Sequence, residues 1–384
     1  MTDITHLPPD TGPSLDLRNK DIAVAGQWRL FWLKFKKHKI ALFSLVVIVF
    51  MYLVAAFAAF IAPMDPNATN ARFTYAPPQL ISLMHDGAFQ PHVDQLKMTL
   101  NTESMRREFT PDPAKPLSVS FFVKAQQPYN LFGFIPMETK LFGLTDPKPG
   151  DSLYIFGADR LGRDILSRVV HGAQISLSIG LVGVFMSLIL GVTIGGISGF
   201  FGGWIDQIIQ RAIELLRSIP TIPLWMGLAA AIPVGWPPLR TYFIITLIVS
   251  LIGWTSLARE VRGKFLSLRN EDFVIAARLD GMSEFRIIFS HLVPSFMSHI
   301  IATLTLAIPS MILAETALSF LGVGLQPPII SWGVLLQEAQ NIRAVAQAPW
   351  LLFTPAAAIV ISVLSLNFLG DGLRDAADPY ESVS

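Results

Sequence analysis

Side chains able to do chemistry are few in this chain and unusually placed. Glu315 stands inside an apolar run, Ala314-Glu315-Thr316-Ala317-Leu318. A carboxylate facing lipid costs several kcal/mol, so this one either lines a cavity or is held by hydrogen bonds inside the protein, and both readings stand. Arg211, Glu214 and Arg217 recur at three-residue intervals, which puts them on one helix face. They form either a charge-paired entry to a bilayer or a gate. The seven histidines are scattered, and His291 and His299 lie across Pro294 without the spacing of a two-ligand helical face. No metal site is expected. Gly263-Lys264-Phe265 lacks the upstream glycine and the hydroxyl of a phosphate-cradling loop. No Gly-x-Ser-x-Gly or His-Glu-x-x-His string is present, and the absence of cysteine removes thiolate chemistry and disulfides. The chain is expected to be non-catalytic, to hydrolyse no ATP itself and to hold no cofactor.

What is dense in charge is one stretch, Arg259 to Pro294. Arg259, Arg262, Lys264, Arg269, Arg278 and Arg286 alternate there with Glu260, Glu271, Asp272, Asp280 and Glu284. Apolar runs lead into it (Thr241 to Leu257) and out of it (Ser298 to Leu313). It reads as a helix-turn-helix whose ends are held by membrane and whose body is shown to a partner. Within it, Ala276-Ala277, then Gly281, then Pro294 resembles the "EAA" signature of importer-type ABC transporter permeases. A short helix of small residues closed by glycine allows another protein to approach its backbone and permits a sharp reversal. Two positions depart from the pattern: Ile275 stands where an acidic residue would be, and His291-Leu292-Val293-Pro294 replaces Ile-x-Leu-Pro.

The elements that must position these residues are read from composition. Of 384 residues, 52% are hydrophobic and 15% charged, and the mean hydropathy is +0.51. That balance excludes an ordinary soluble enzyme and indicates a polytopic membrane protein. A net charge of +1, with no dense basic tract, implies no nucleic acid partner.

Taken in order, residues 1–39 form a polar tail and an interfacial segment, in which Trp28, Leu30, Phe31, Leu33 and Phe35 interleave with Arg29, Lys34, Lys36, Lys37 and Lys39. No cleavable signal peptide is expected, and the cationic cluster before the first span places this end in the cytosol. Residues 40–62 carry no charge and form the first span. Residues 63–156 form an insert outside the cytosol, either a compact cap or a partly ordered loop. Its patches Leu117 to Val123 and Tyr129 to Ile135 need something to cover them. Residues 157–372 form the core, with spans near Ile175–Ile197, Ile219–Ile232, Thr241–Leu257, Ser298–Phe320 and Pro349–Leu369 and the charged loop 259–294; residues 373–384 are a cytosolic tail. Leu161, Ile165, Leu166 and Val169 suggest an amphipathic surface helix before the second span.

The string Leu-Gly-Arg-Asp-Ile-Leu-Ser-Arg (161–168), with Gly-Ala-Gln-Ile-Ser-Leu after it, closely resembles one of the two permeases of dipeptide, oligopeptide and nickel importers. The resemblance covers Trp28 to Pro379 apart from the insert. It implies an all-α integral membrane protein with six transmembrane helices, the type I ABC importer permease fold, and an insert between helices 1 and 2. It further implies half of an alternating-access pathway for peptides or similar small solutes. The implied partners are a homologous second permease in a heterodimer, two ATPase subunits that bind ATP and Mg, an extracytoplasmic solute-binding protein and the lipid bilayer. The implied location is the bacterial inner membrane, multi-pass, with both termini cytosolic. ATPase coupling would rest on Asp272, Ala276, Ala277, Arg278, Asp280, Gly281 and Pro294; cavity or gating candidates are Arg211, Glu214 and Glu315. Two other classes remain as alternatives, a proton-coupled secondary transporter and a membrane-anchored sensor. The first would want several buried acids and internal repeats.

Overall fold

The computed structural model describes residues 27–85, 88–102, 106–148, 150–233 and 235–377. Of the segments expected as tails, 1–39 and 373–384, residues 1–26 and 378–384 lie outside the described residues. Helix α1 (Gln27–Lys37) ends in Lys34, Lys36 and Lys37. His38 then caps α2 (Lys39–Ala56), its Nδ1 accepting from the Ala41 N–H at 3.2 Å. A break at Phe57 leads into the short α3 (Ala58–Ile61).

Beyond the insert come α4 (Ile165–Phe201), α5 (Gly203–Ser218), α6 (Thr221–Ala230), α7 (Pro238–Leu268), α8 (Asp272–Leu279), α9 (Glu284–Ile287), α10 (Met297–Phe320), α11 (Trp332–Gln337), α12 (Ile342–Gln347) and α13 (Trp350–Ala377). Among the described residues, five of these helices are long and apolar enough to cross a membrane: α2, α4, α7, α10 and α13. Such helices are legible because lipid obliges each span to satisfy its backbone hydrogen bonds internally.

The third expected span differs from its expectation. Pro220 has no N–H to donate and precedes α6 after a break at Ile219–Pro220, so the third span is one short helix, with Arg211, Glu214 and Arg217 on the separate α5. The packing of their neighbours explains their course. Helices α4 and α7 run parallel, with Gly191 against Leu257, Gly195 against Ala258 and Gly199 against Arg262. A Cβ on Gly195 would lie 2.4 Å from the Ala258 carbonyl oxygen, and one on Gly199 2.7 Å from that of Arg262. Small residues at this spacing let two spans touch backbone to backbone. Parallel neighbours require the intervening chain to return along the bundle. It does so antiparallel to α7: Ile213 of α5 packs with Trp254 and Ala258, and Ala229 of α6 with Tyr242, Ile245 and Val249.

Three boundaries move, and the first is the end of the last span, which runs on to Ala377 where Leu369 was expected. The segment expected as a separate surface helix belongs to α4 from Ile165 onward, and the first arm of the charged loop is the unbroken continuation of α7 to Leu268. At one end of the bundle Phe35, Ala41, Leu369 and Ala376 share a cluster, which ties α1 to the end of α13.

The all-α expectation holds for the spans and needs one amendment, because the insert is β. Strands β1 (Ser82–His85), β2 (Ala88–Asn101), β3 (Arg106–Leu131) and β4 (Ile135–Leu144) form an antiparallel sheet in sequence order. Val93 pairs with Leu117, Thr99 with Glu108 and Val119 with Leu144. The β2–β3 register slips between Asp94 and Gln95, opposite the stretch from Pro111 to Pro116. Prolines cannot donate to a ladder and gather at such irregularities. Of the two forms open for the insert, the folded one is seen. Its root is bonded to α4, where the Met64 N–H donates to Ser167 Oγ at 3.1 Å, and its two ends are joined to each other by Gln79 and Tyr154, which exchange two bonds of 2.8 and 2.7 Å.

Candidate functional site

At the charged end of the bundle, Val274 and Ala277 lie three residues apart and seat α8 on a core that includes Phe200, Val261, Phe265, Ile287 and Leu292. This turns Phe273, Ile275, Ala276 and Leu279 outward, Leu279 to 84% exposure. Asp280 and Gly281 close the helix in a Schellman motif. The Met282 N–H reaches the Ala277 carbonyl at 3.1 Å and the Gly281 N–H that of Arg278 at 3.0 Å, with Gly281 at φ +76°. A Cβ on Gly281 would meet nothing within 4 Å, so glycine is needed there for its backbone angle and not for close packing.

Helix α9 continues through a π turn (Ile288–Leu292) to a short helical turn, Val293–Ser295, where Pro294 is exposed. Phe285 and Phe289 stand outward with ring centroids 4.6 Å apart. Of the seven residues expected to couple, Asp272, Ala276, Arg278, Asp280 and Gly281 share the exposed side of α8 and its cap. Ala277 faces its own core, and Pro294 stands apart. The Arg278 guanidinium lies 5.0 Å over the Phe200 ring.

Beside this loop, Asp206 links three helices. Arg262 donates to it twice, Nε to Oδ1 at 2.5 Å and a terminal nitrogen to Oδ2 at 2.6 Å, and Ser198 Oγ donates to Oδ1 at 2.5 Å. The pairing is charge-assisted at both carboxylate oxygens. Sequence reading passed over this pair, since its members lie on different helices. Arg211 and Glu214 pair with each other at 2.7 Å, with Arg211 84% exposed at its side chain. They do not meet Glu315, which sits at the opposite end of α4: Ser176 is its neighbour, and about 33 Å of helix separates Ser176 from Ser198.

Glu315 is wholly buried. Its Oε1 accepts from Ser331 Oγ at 2.7 Å and Ser319 Oγ at 2.8 Å, and its Oε2 from Ser176 Oγ at 3.5 Å. Each serine in turn accepts a backbone N–H: Ser331 from Val334, Ser319 from Leu325 and Ser176 from Trp332, at 3.2, 3.0 and 3.1 Å. One carboxylate thereby organises the segment Leu325–Val334 against α4 and α10. Of the two roles open for Glu315, this geometry supports the structural one.

The Leu-Gly-Arg-Asp stretch forms a buried ionic knot at the same end. Asp159 Oδ1 accepts the N–H groups of Leu161 and Arg163 at 2.8 and 3.0 Å, and Oδ2 accepts Arg163 Nε at 2.6 Å. Arg163 reaches Glu338 at 3.1 Å, and Arg168, 2% exposed, donates to the Pro66 carbonyl at 3.1 Å. Gly162, at φ +71°, turns beneath Asn70, whose carbonyl oxygen would lie 2.0 Å from any Cβ there. Asp164 caps α4 through the Ser167 N–H at 2.7 Å. Burial lifts the Asp164 carboxyl to about 6 and pushes Glu338 up as well. The Asp159, Arg163, Asp164 and Arg168 spacing was a signal for this knot; Glu338, far along the chain, was not.

A parallel pair of spans joined through glycines thus carries a charged helical loop at one end and a serine-pinned segment at the other, the architecture of a polytopic membrane protein. Comparison with known proteins carries this further. Residues 191–381 match the family described as binding-protein-dependent transport system inner membrane component, and residues 26–78 match the N-terminal TM domain of oligopeptide transport permease C. The oligopeptide transport system permease protein OppC of Bacillus subtilis (strain 168) is 39% identical over 236 residues, covering 62% of this chain and 75% of that one. The dipeptide transport system permease protein DppC of Alkalihalophilus pseudofirmus is 40% identical over 224 residues, covering 58% and 71%. A chain of the inward-facing MetNI methionine ABC transporter aligns at a TM-score of 0.43 with 18% identity, over 56% of this chain and 98% of that one. The chain belongs to the family of binding-protein-dependent transport system inner membrane components, and it is an ABC-type permease subunit of the inner membrane.

Proposed function

We propose that the chain forms half of a translocation pathway for peptides or similar small solutes, beside a homologous second permease, with two ATPase subunits and a solute-binding protein as further partners. The observation that carries this reading is the outward face of α8, α9 and the π turn after it, where Phe273, Ile275, Ala276, Leu279, Phe285 and Phe289 are exposed on a loop seated on its own core. An apolar patch rimmed by charge marks a protein contact. It fits a cleft in an ATPase whose closure would push on α7 and α10. ATP and Mg belong to that partner, and this chain contributes no covalent chemistry.

The relatives named for oligopeptides and dipeptides support the substrate class. The exposed Arg211–Glu214 pair on the returning helix α5 supports a second subunit or a water-filled pathway beside it, since acyl chains would not accept it. The lysine-rich α1, the charged loop and the end of α13 occupy one end of the bundle, and the positive-inside tendency assigns that end to the cytosol. Six crossings follow if α5 and α6 together make the third. A proton-coupled carrier would need Glu315 free to titrate, and its three serine partners weigh against that.

The test is Leu279→Asp or Ala276→Arg in the assembled complex. Insertion should be intact and substrate-stimulated ATP hydrolysis lost; normal stimulation in both variants removes the loop from coupling. Ala277→Arg does not serve, because it would break the loop's own core.

A further inference from the structure

The β3–β4 hairpin closes in a turn whose chemistry is unusual for its shape. In Leu131-Phe132-Gly133-Phe134 the Phe134 N–H donates to the Leu131 carbonyl at 3.3 Å, and both central residues are left-handed, φ +54° at Phe132 and +81° at Gly133. Turns of this type favour Asn-Gly or Asp-Gly. A bulky aromatic at positive φ is an outlier and persists where its surroundings hold it, often for a functional reason.

The end of the first span supplies those surroundings. The Phe132 ring meets Phe57 edge-on at 5.4 Å, Phe122 lies 6.4 Å from Phe60, and Lys140 Nζ donates to the Ala59 carbonyl at 2.8 Å. These contacts set the height of the hairpin. From Lys39 to Phe57 the helix rises about 27 Å, close to the ~30 Å hydrocarbon thickness. With Lys34 to Lys39 marking one boundary, Phe57 stands at the other. Phe43, Val46, Phe50, Leu53 and Phe57 are exposed at spacings of three and four residues and form one stripe along α2. Phe132 continues that stripe beyond its last ring. Phe134 follows at 6.5 Å from Phe132 and is 75% exposed.

We propose that the tip Phe132–Phe134 is a membrane anchor, inserted among the lipids of the leaflet opposite the lysine cluster. Lipid then covers the Tyr129 to Ile135 patch. Phenylalanine at Phe132, and not the asparagine its backbone would favour, follows from that role. The anchor fixes the sheet at a set distance from the bilayer, tethered through Lys140 and Phe57 to the first span.

Because the chain has no cysteine, a nitroxide on Phe134→Cys reports alone in the full-length chain within its complex in nanodiscs. Its collision accessibility to oxygen should exceed that to aqueous nickel chelate several-fold, with the reverse at Thr102→Cys, in the turn between β2 and β3. A tip as open to nickel as Thr102 lies in water, and a tip closed to both reagents is covered by protein; either result overturns the proposal. The unaltered chain supplies a second measurement. Irradiation with a diazirine-bearing phosphatidylcholine should leave adducts on the Leu131–Ile135 segment as well as on Phe43 and Phe50. Adducts on Phe43 and Phe50 alone would overturn it.

Discussion

Glu315 and Ser331 stand 2.7 Å apart at the end of the bundle away from the charged loop, and the serine that donates to the carboxylate also caps α11 by accepting the Val334 N–H. Ser319 and Ser176 repeat the arrangement with Leu325 and Trp332. The acid is thus a shared acceptor for three hydroxyls that are committed to backbone donors.

Removing that acceptor should loosen the whole segment. Glu315→Ala leaves three buried hydroxyl groups short of a partner, each costing about 1–3 kcal/mol, while Glu315→Gln keeps one carbonyl acceptor and should cost less. Hydrogen exchange over residues 322–337 is the measurement. Protection there should fall in the alanine variant and largely remain in the glutamine variant. Unchanged exchange in Glu315→Ala would show that the serines hold the segment without it.

Asp164 should make stability depend on pH. Its carboxyl is lifted to about 6 from an ordinary 3.8 by burial. Between those values the folded chain keeps a proton that the unfolded chain releases, so this group's contribution falls as pH rises through that window. Asp164→Asn retains a capping oxygen for Ser167 and cannot titrate. The stability of the variant, followed through its thermal midpoint, should gain on the wild type between pH 4 and pH 7, by of order 1–3 kcal/mol of unfolding free energy. Parallel pH curves for the two proteins would refute this.

The parallel packing of α4 and α7 depends on two glycines. Gly195→Ala places a methyl 2.4 Å from the Ala258 carbonyl oxygen and Gly199→Ala one 2.7 Å from that of Arg262. Backbone cannot yield cheaply, and overpacking of this kind costs about 1–3 kcal/mol or more. Both variants should lower the thermal midpoint in detergent, whereas Gly227→Ala, which meets nothing within 4 Å and lies inside a helix, should not lower it and should raise it slightly. Equal midpoints in all three would mean that the helices pack otherwise.

Sidedness is open to direct labelling. Thr102 and Ser267 are both exposed, and single cysteines there should react with an impermeant maleimide from opposite faces of the membrane, Thr102 from outside. Reaction of both from one side would falsify the arrangement of crossings.

The residues themselves show which features were legible. Helix α8 and its glycine cap were, because Ala276-Ala277-Arg278-Leu279-Asp280-Gly281 makes its hydrogen bonds within a few residues. The five long spans were for the same reason: a helix in lipid is a local structure with a local composition. Which of Ala276 and Ala277 faces outward was not, since the roll of α8 is set by Phe200 and Phe265 on other helices. The sheet was hidden by the separation of its partners, His92 and Ser118 among them. Glu315 was visible as an odd residue, yet its role waited on Ser176, 139 positions away, as that of Arg163 waited on Glu338, 175 positions away. Backbone satisfaction over short range can be read along the chain. Buried charges and strand edges are satisfied only by groups that folding brings to them, and those groups leave no mark beside the residues they serve.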